Sequence, residues 1–175
     1  METLTRTLEV IERTPDVLRA MLAGMPREWT NGNYGEGTWS AHEVVGHLIV
    51  AERDDWVPRL RRIMEHGEAV PFDPFPHDAT ASAGRSIDEL LEEFAILRAA
   101  SLRAVASLSL NASDLARTGM HPALGRVTLE QLLATWAVHD LHHIRQACMA
   151  MAWQARDAVG PWRAYLRIVR DGGQV

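Results

Sequence analysis

Lysine is missing from this chain altogether: all 18 of its basic residues are arginine. A lysine Schiff base and the lysine of a phosphate-binding loop are therefore excluded. Cysteine is nearly as scarce. Cys148 stands alone, so no intrachain disulfide can form and a structural zinc site built on paired cysteines is ruled out. Long apolar runs are missing too, since the predominantly apolar stretch Leu132 to Val138 falls far short of the ~20 residues that span a bilayer. A surplus of positive charge is also absent. The 23 acidic residues outnumber the basic ones and leave a net charge of −5, so the field that draws proteins to phosphate backbones or anionic lipid is lacking, and neither nucleic acid nor membrane is an expected partner. The N-terminus does not have the basic-then-apolar blocks of a secretory signal, which makes the reducing cytoplasm the expected compartment.

What is present is the makeup of an ordinary globular domain: 47% hydrophobic and 23% charged residues over 175 positions. That length predicts one domain, residues 1–175. Leu4, Leu8, Ile11, Leu18 and Leu22 recur at helical spacing and predict a first helix to about Ala23, bent at Pro15 or begun afresh at Asp16. Ser40 with Glu43, and Ser86 with Glu89, have the form of capping boxes. They predict a second helix from Ser40 to about His66, kinked at Pro58, and a third from Ser86 to about Leu108. Thr128 opens a fourth helix to about Trp153, and Gly160-Pro161 introduces a short fifth reaching Arg170. The connections are the glycine-rich segment 24–37, the proline-bearing segment 67–84 and a loop with Gly119, Pro122 and Gly125. No segment shows convincing two-residue alternation. The expected fold is all-α, a four-helix bundle of up-and-down or crossover topology with a short C-terminal fifth helix.

The fourth helix carries His139 and His143, four residues apart and so on one face, where two imidazoles can ligate one metal ion. Leu132, Trp136, His139, His143, Gln146 and Ala150 share that sector, and His142 falls to its side. The competing reading is a solvated or hydrogen-bonded histidine cluster near a helix end. A catalytic type of site needs a third ligand from another element, and His42, His47, His66, His77 and His121 are all available. Composition and spacing do not choose among them. Gln146 is a candidate to orient a ligand or a bound water, and Asp54, seven residues after His47, is a candidate base or an exposed partner for Arg61. Trp136 and the other five tryptophans read as core and loop anchors, Arg145 as a solvated charge, and Cys148 as an inert helical thiol off the histidine face.

The segment Gly37-Thr38-Trp39-Ser40-Ala41-His42-Glu43-Val44-Val45-Gly46-His47-Leu48, followed later by His139 to Gln146, resembles the DinB/YfiT-like superfamily of helical metalloproteins. The shared pattern is a Trp-Ser helix entry, a Gly-His-Leu on the second helix and a His-x-x-x-His on the helix before the end. The likeness runs from about Met1 to Trp153; the proline-rich Val70 to Pro76 has no counterpart in it. The resemblance implies that His47, His139 and His143 bind one divalent metal ion, zinc or nickel, in a four-helix bundle that forms a homodimer. It further implies either transfer or isomerisation with a low-molecular-weight thiol of the bacillithiol or mycothiol type, or metal-assisted hydrolysis. The thiol reaction is the preferred expectation, because arginines offer fork-shaped partners for a cosubstrate's carboxylates. The rival is a non-catalytic metal-binding or stress-related bundle.

Overall fold

Three serine or threonine caps start three of the long helices. Ser40 Oγ accepts the Glu43 backbone N–H at 3.2 Å while the Glu43 carboxylate accepts the Ser40 N–H at 2.8 Å, and Ser86 with Glu89 repeats the exchange at 3.2 and 2.7 Å. Thr128 and Gln131 form a third box, at 3.1 and 2.9 Å. Each satisfies two backbone donors that a helix start leaves open, worth about 1 kcal/mol apiece. A computed structural model of the chain describes residues 2–76 and 81–170. Its elements are α1 (Glu2–Leu22), a short α2 (Arg27–Thr30), α3 (Ala41–Asp54), α4 (Trp56–His66), α5 (Ile87–Ser107), a short α6 (Ala112–Leu115), β1 (Thr118–His121), β2 (Gly125–Thr128), α7 (Leu129–Gln154), a 3-10 turn (Gly160–Tyr165) and α8 (Arg167–Arg170). None of the described helices is long and apolar enough to cross a membrane.

The architecture is a four-helix bundle of the crossover kind. Helix α1 packs along α5 and α7, and α3 packs along the same two, so α1 and α3 face each other across the diagonal. Side-chain pairs give the directions. Arg19, late in α1, meets Glu92, early in α5; His42 and Glu52 of α3 meet the segment before α5 and its middle, at Arg85 and Arg98 respectively. Consequently α3 and α5 run parallel, and the 67–84 connection has to return along the bundle rather than merely cross its end. Part of that return packs on α3, where Gly46 leaves room: a Cβ there would lie 2.8 Å from Ser82 Cβ.

The apolar core is in two clusters, one around Leu18, Leu22, Val45, Ile49 and Phe94 and one around Ile11, Leu60, Ile63, Leu132 and Trp136. A charged layer separates them. Arg98 of α5 is 1% exposed and donates to Glu52 of α3 at 2.7 and 2.9 Å and to Asp140 of α7 at 2.6 and 3.0 Å. Its remaining bond, 2.5 Å, goes to the backbone carbonyl of Ile11. Pro15 explains why that carbonyl is free: proline has no N–H to give the residue four places back, so Ile11 would otherwise keep an unpaired acceptor inside α1. The predicted bend at Pro15 is thus accommodated within one continuous helix. Burial acts to lower the Arg98 pKa, but Asp140 and Glu52 outweigh it and hold the guanidinium above its ordinary value.

Two departures from the sequence reading have local causes. The second predicted helix is two helices, broken at Asp55 rather than kinked at Pro58. The proline ring would clash with the carbonyl of Asp54, four residues back, so the helix ends there and Pro58 falls in the first turn of α4, where a missing N–H costs nothing. The loop before α7 contains a β-hairpin, with Thr118 paired to Thr128 and His121 to Gly125. Its strands are four residues each, too short for alternation to register. Gly125 takes the left-handed conformation at φ 75° that closes the three-residue loop, and His121 Nδ1 accepts the Ala123 and Leu124 N–H groups at 3.1 Å. The predicted fifth helix is the 3-10 turn followed by one turn of α8.

Removing one partner from a buried ion network leaves the others charged and unpaired. Arg98→Met is expected to lower unfolding free energy by about 3–5 kcal/mol, read from urea denaturation at neutral pH. Gly119 of β1 lies against α4, where an added Cβ would come within 2.7 Å of Ile63 Cγ1 and 2.9 Å of Phe72 Cζ. Gly119→Ala is expected to cost about 1–3 kcal/mol in the same assay by pushing the hairpin off the bundle.

Candidate metal centre

Helix α3 carries His47 and the neighbouring α7 carries His139 and His143, one turn apart. The structure brings all three rings together. His47 Nε2 lies 3.1 Å and His143 Nε2 3.0 Å from His139 Nε2, and one ligand nitrogen from each residue falls within 4.8 Å of the others. Two nitrogens bound at about 2.0–2.1 Å to one ion are about 2.9 Å apart at a right angle and about 3.3 Å apart at the tetrahedral angle, a range that brackets both close pairs.

The electrostatics point the same way. Burial, with the neighbouring His143 and His47 rings, lowers His139 to about 2. Burial and His47 lower His143 to about 3, against an opposing contribution from Gln146. Both imidazoles are therefore neutral near pH 7, with lone pairs crowded into one spot where a proton is disfavoured. His143 Nδ1 donates to Gln146 Oε1 at 2.6 Å, which leaves Nε2 as the bare acceptor facing the cluster. Two neutral imidazoles with the His47 ring beside them form a nitrogen donor set that fits a single divalent cation.

The remaining histidines have other tasks. His42 turns to the Arg85 carbonyl at 2.8 Å, His121 caps the hairpin turn, His66 is exposed beside Glu65 and His142 is exposed with its ring 5.2 Å from that of His143. His77 lies outside the described residues. Among the other sequence candidates, Asp54 and Arg145 are exposed. Trp136 is buried in the core, donating to Glu52 at 3.2 Å and stacked on Trp56 at 5.6 Å. Cys148 sits against Met21 Sδ at 3.5 Å, its thiol pKa raised by burial.

Sequence reasoning missed the surroundings of the histidines. Trp39, immediately before the Ser40 cap, stacks on His143 at 5.8 Å with 12° between planes and lies 4.6 Å from His47. Trp56 meets His139 edge-on at 5.0 Å, and Phe75 meets His47 at 5.3 Å. The carboxylate facing this region is Asp55, not Asp54. It is 7% exposed, pairs with Arg59 Nε at 2.5 Å, and lines a cleft of about 210 Å³ together with Trp56 and His139. Burial raises its pKa from 3.8 to about 6, against the Arg59 charge, with Asp54 adding to the rise. The signal available beforehand was Pro58, three residues after the interruption between α3 and α4 at which Asp55 sits.

The family model of the DinB superfamily matches residues 11–147. YfiT from Bacillus subtilis, described as a probable metal-dependent hydrolase with an unusual four-helix bundle topology, is structurally similar with a TM-score of 0.73 and 19% identity, over 90% of this chain and 89% of its own. TT2238, described as a four-helix bundle protein, is similar with a TM-score of 0.58 and 24% identity, over 81% of this chain and 95% of its own. No curated protein matches by sequence. The family model covers well over half of the chain, and this protein belongs to the DinB superfamily.

Proposed function

We propose that this protein is a divalent-metal-dependent hydrolase of a small molecule, with His47, His139 and His143 holding one ion of zinc or nickel. The observation that carries the reading is the convergence of three imidazole nitrogens beside a cleft that contains a buried carboxylate. A divalent ion bound by three neutral ligands keeps its full charge, and it supplies Lewis acidity and lowers the pKa of water at an open position. The protein's own groups do the rest. Gln146 fixes the His143 tautomer, Trp39 and Trp56 shield the imidazoles from bulk solvent, and Asp55 accepts the proton that an attacking water gives up. A carboxyl with a pKa of about 6 suits that role near neutrality. The likeness to YfiT, described as a probable metal-dependent hydrolase, supports the reading.

Thiol transfer would use the same three histidines. It calls in addition for a cationic clamp on the cosubstrate's carboxylates, and the arginine that lines the cleft, Arg59, is already paired with Asp55. Hydrolysis is therefore placed first.

Purified protein incubated with zinc or nickel and dialysed is expected to retain about one ion per chain by elemental analysis, and His47→Ala and His139→Ala to retain none. Gln146→Ala is expected to weaken binding about 10–100-fold. Absence of metal from the unaltered protein would remove the proposal. With metal bound, turnover of a panel of simple esters and amides, alone and with added thiols, separates hydrolysis from thiol transfer.

The pKa of Asp55 makes a second prediction. A base acts when ionised, so hydrolysis is expected to rise with pH through about 6 and Asp55→Asn to lose that limb. Stability carries the opposite sign. The folded state holds the Asp55 proton more tightly than the unfolded chain, so stability falls as pH rises from about 4 to about 6. Urea unfolding of Asp55→Asn should show a shallower fall over that window.

A further inference from the structure

The cleft beside His139 is too small for a whole substrate and well formed for part of one. At about 210 Å³ it lies below the roughly 300 Å³ at which small-molecule sites begin. It is nevertheless larger than a dry cavity of about 150 Å³ that takes up benzene. Its walls come from four parts of the chain: Trp56 of α4, Phe72 of the return connection, Val127 of β2 and Leu132 of α7. They are held in place independently of any ligand. Trp56 is stacked on Trp136, the Phe72 N–H donates to the Met120 carbonyl of β1 at 2.8 Å, and the Arg59 guanidinium lies 5.3 Å over the Phe72 ring.

The charges in the cleft cancel. Asp55 and Arg59 are bound to each other. His121 of β1, the other ionisable group on the hairpin side, is kept below its usual pKa by burial and by Arg59. An anionic occupant would have to compete with Asp55 for Arg59, and a cationic one would meet Arg59 uncompensated.

We propose that this cleft is the specificity pocket of the site, and that it receives one compact, neutral, aromatic group of the substrate while the bond to be cleaved lies at the three histidines. The assignment rests on the hydrolase reading for its reaction and on the cleft alone for its occupant. A substrate built this way is an ester or amide of a monocyclic arylalkyl acid or alcohol, and the pocket excludes bicyclic and charged groups.

The test uses p-cresol as a neutral probe and p-toluate as its charged counterpart, titrated into the full-length protein by ligand-observed NMR, with and without EDTA treatment. Saturable binding of p-cresol at one site is expected, at least 10-fold tighter than p-toluate. Thr135 is exposed on α7 at the rim of the cleft, so Thr135→Trp fills the opening without disturbing the core and should weaken p-cresol at least 10-fold, whereas Thr135→Val should not. Leu124→Trp, at the 75% exposed hairpin tip on the same rim, serves if Thr135→Trp misfolds by circular dichroism. In metal-loaded protein, the KM for ethyl phenylacetate should lie below that for ethyl acetate, and the blocking variant should erase the difference. Failure to bind p-cresol, equal binding of p-toluate, or affinity unchanged by both tryptophan variants would overturn the pocket. A protein that binds p-cresol as expected but holds no metal would overturn the hydrolase reading instead.

Discussion

A guanidinium sealed inside a bundle dictates what surrounds it. Arg98 sits at 1% exposure between the two apolar clusters, and removing such a charge from water costs several kcal/mol unless its hydrogen-bonding capacity is met. Three helices meet it: α3 through Glu52, α7 through Asp140 and α1 through the carbonyl that Pro15 cannot engage. Because a guanidinium is a rigid planar fork, these partners must arrive at one level and one angle. Apolar ridges alone would tolerate sliding of the helices past one another far better than this layer does.

That constraint reaches the histidines through the chain. Asp140 follows His139 directly, and Glu52 comes five residues after His47, so the register that pairs Arg98 also sets α3 against α7 at the height where the imidazoles meet. Trp136 joins the two layers, since its indole N–H bonds Glu52 while its ring stacks on Trp56, which in turn abuts His139. The crossover topology serves the same end. It makes α3 and α7 adjacent although α4, α5, α6 and the hairpin lie between them in sequence, and it brings the return connection and the hairpin over the open side of the pair.

Much of this was legible beforehand, and the reasons for the rest are specific. Ser40 with Glu43 and Ser86 with Glu89 announced two helix starts because capping is a local bargain between residues three apart. His139 and His143 were legible for the same reason, as neighbours on one helical face. The third ring was not. Five histidines competed for it, and only the family likeness pointed to His47, since which helix faces which is a property of long-range packing. Arg98, Glu52 and Asp140 carry no local pattern that sets them apart, because their burial depends on meeting one another across three helices. The hairpin escaped because it is held more by Gly119 nestling against Ile63 and Phe72 than by any pattern of its own.

Asp54 and Asp55 are neighbours in sequence with opposite surroundings, one exposed and one buried. Asp54 follows His47 by two helical turns but is exposed. The helix is interrupted at Asp55, three residues before Pro58, and the carboxylate that lines the cleft is this buried one. Its Arg59 partner arises from the restarted helix as an (i, i+4) neighbour. Together they form a buried ion pair with little net charge, set beside the aromatic walls of the cleft and His139. In such surroundings a small shift in protonation has a large electrostatic effect, because few charges and little water are present to screen it.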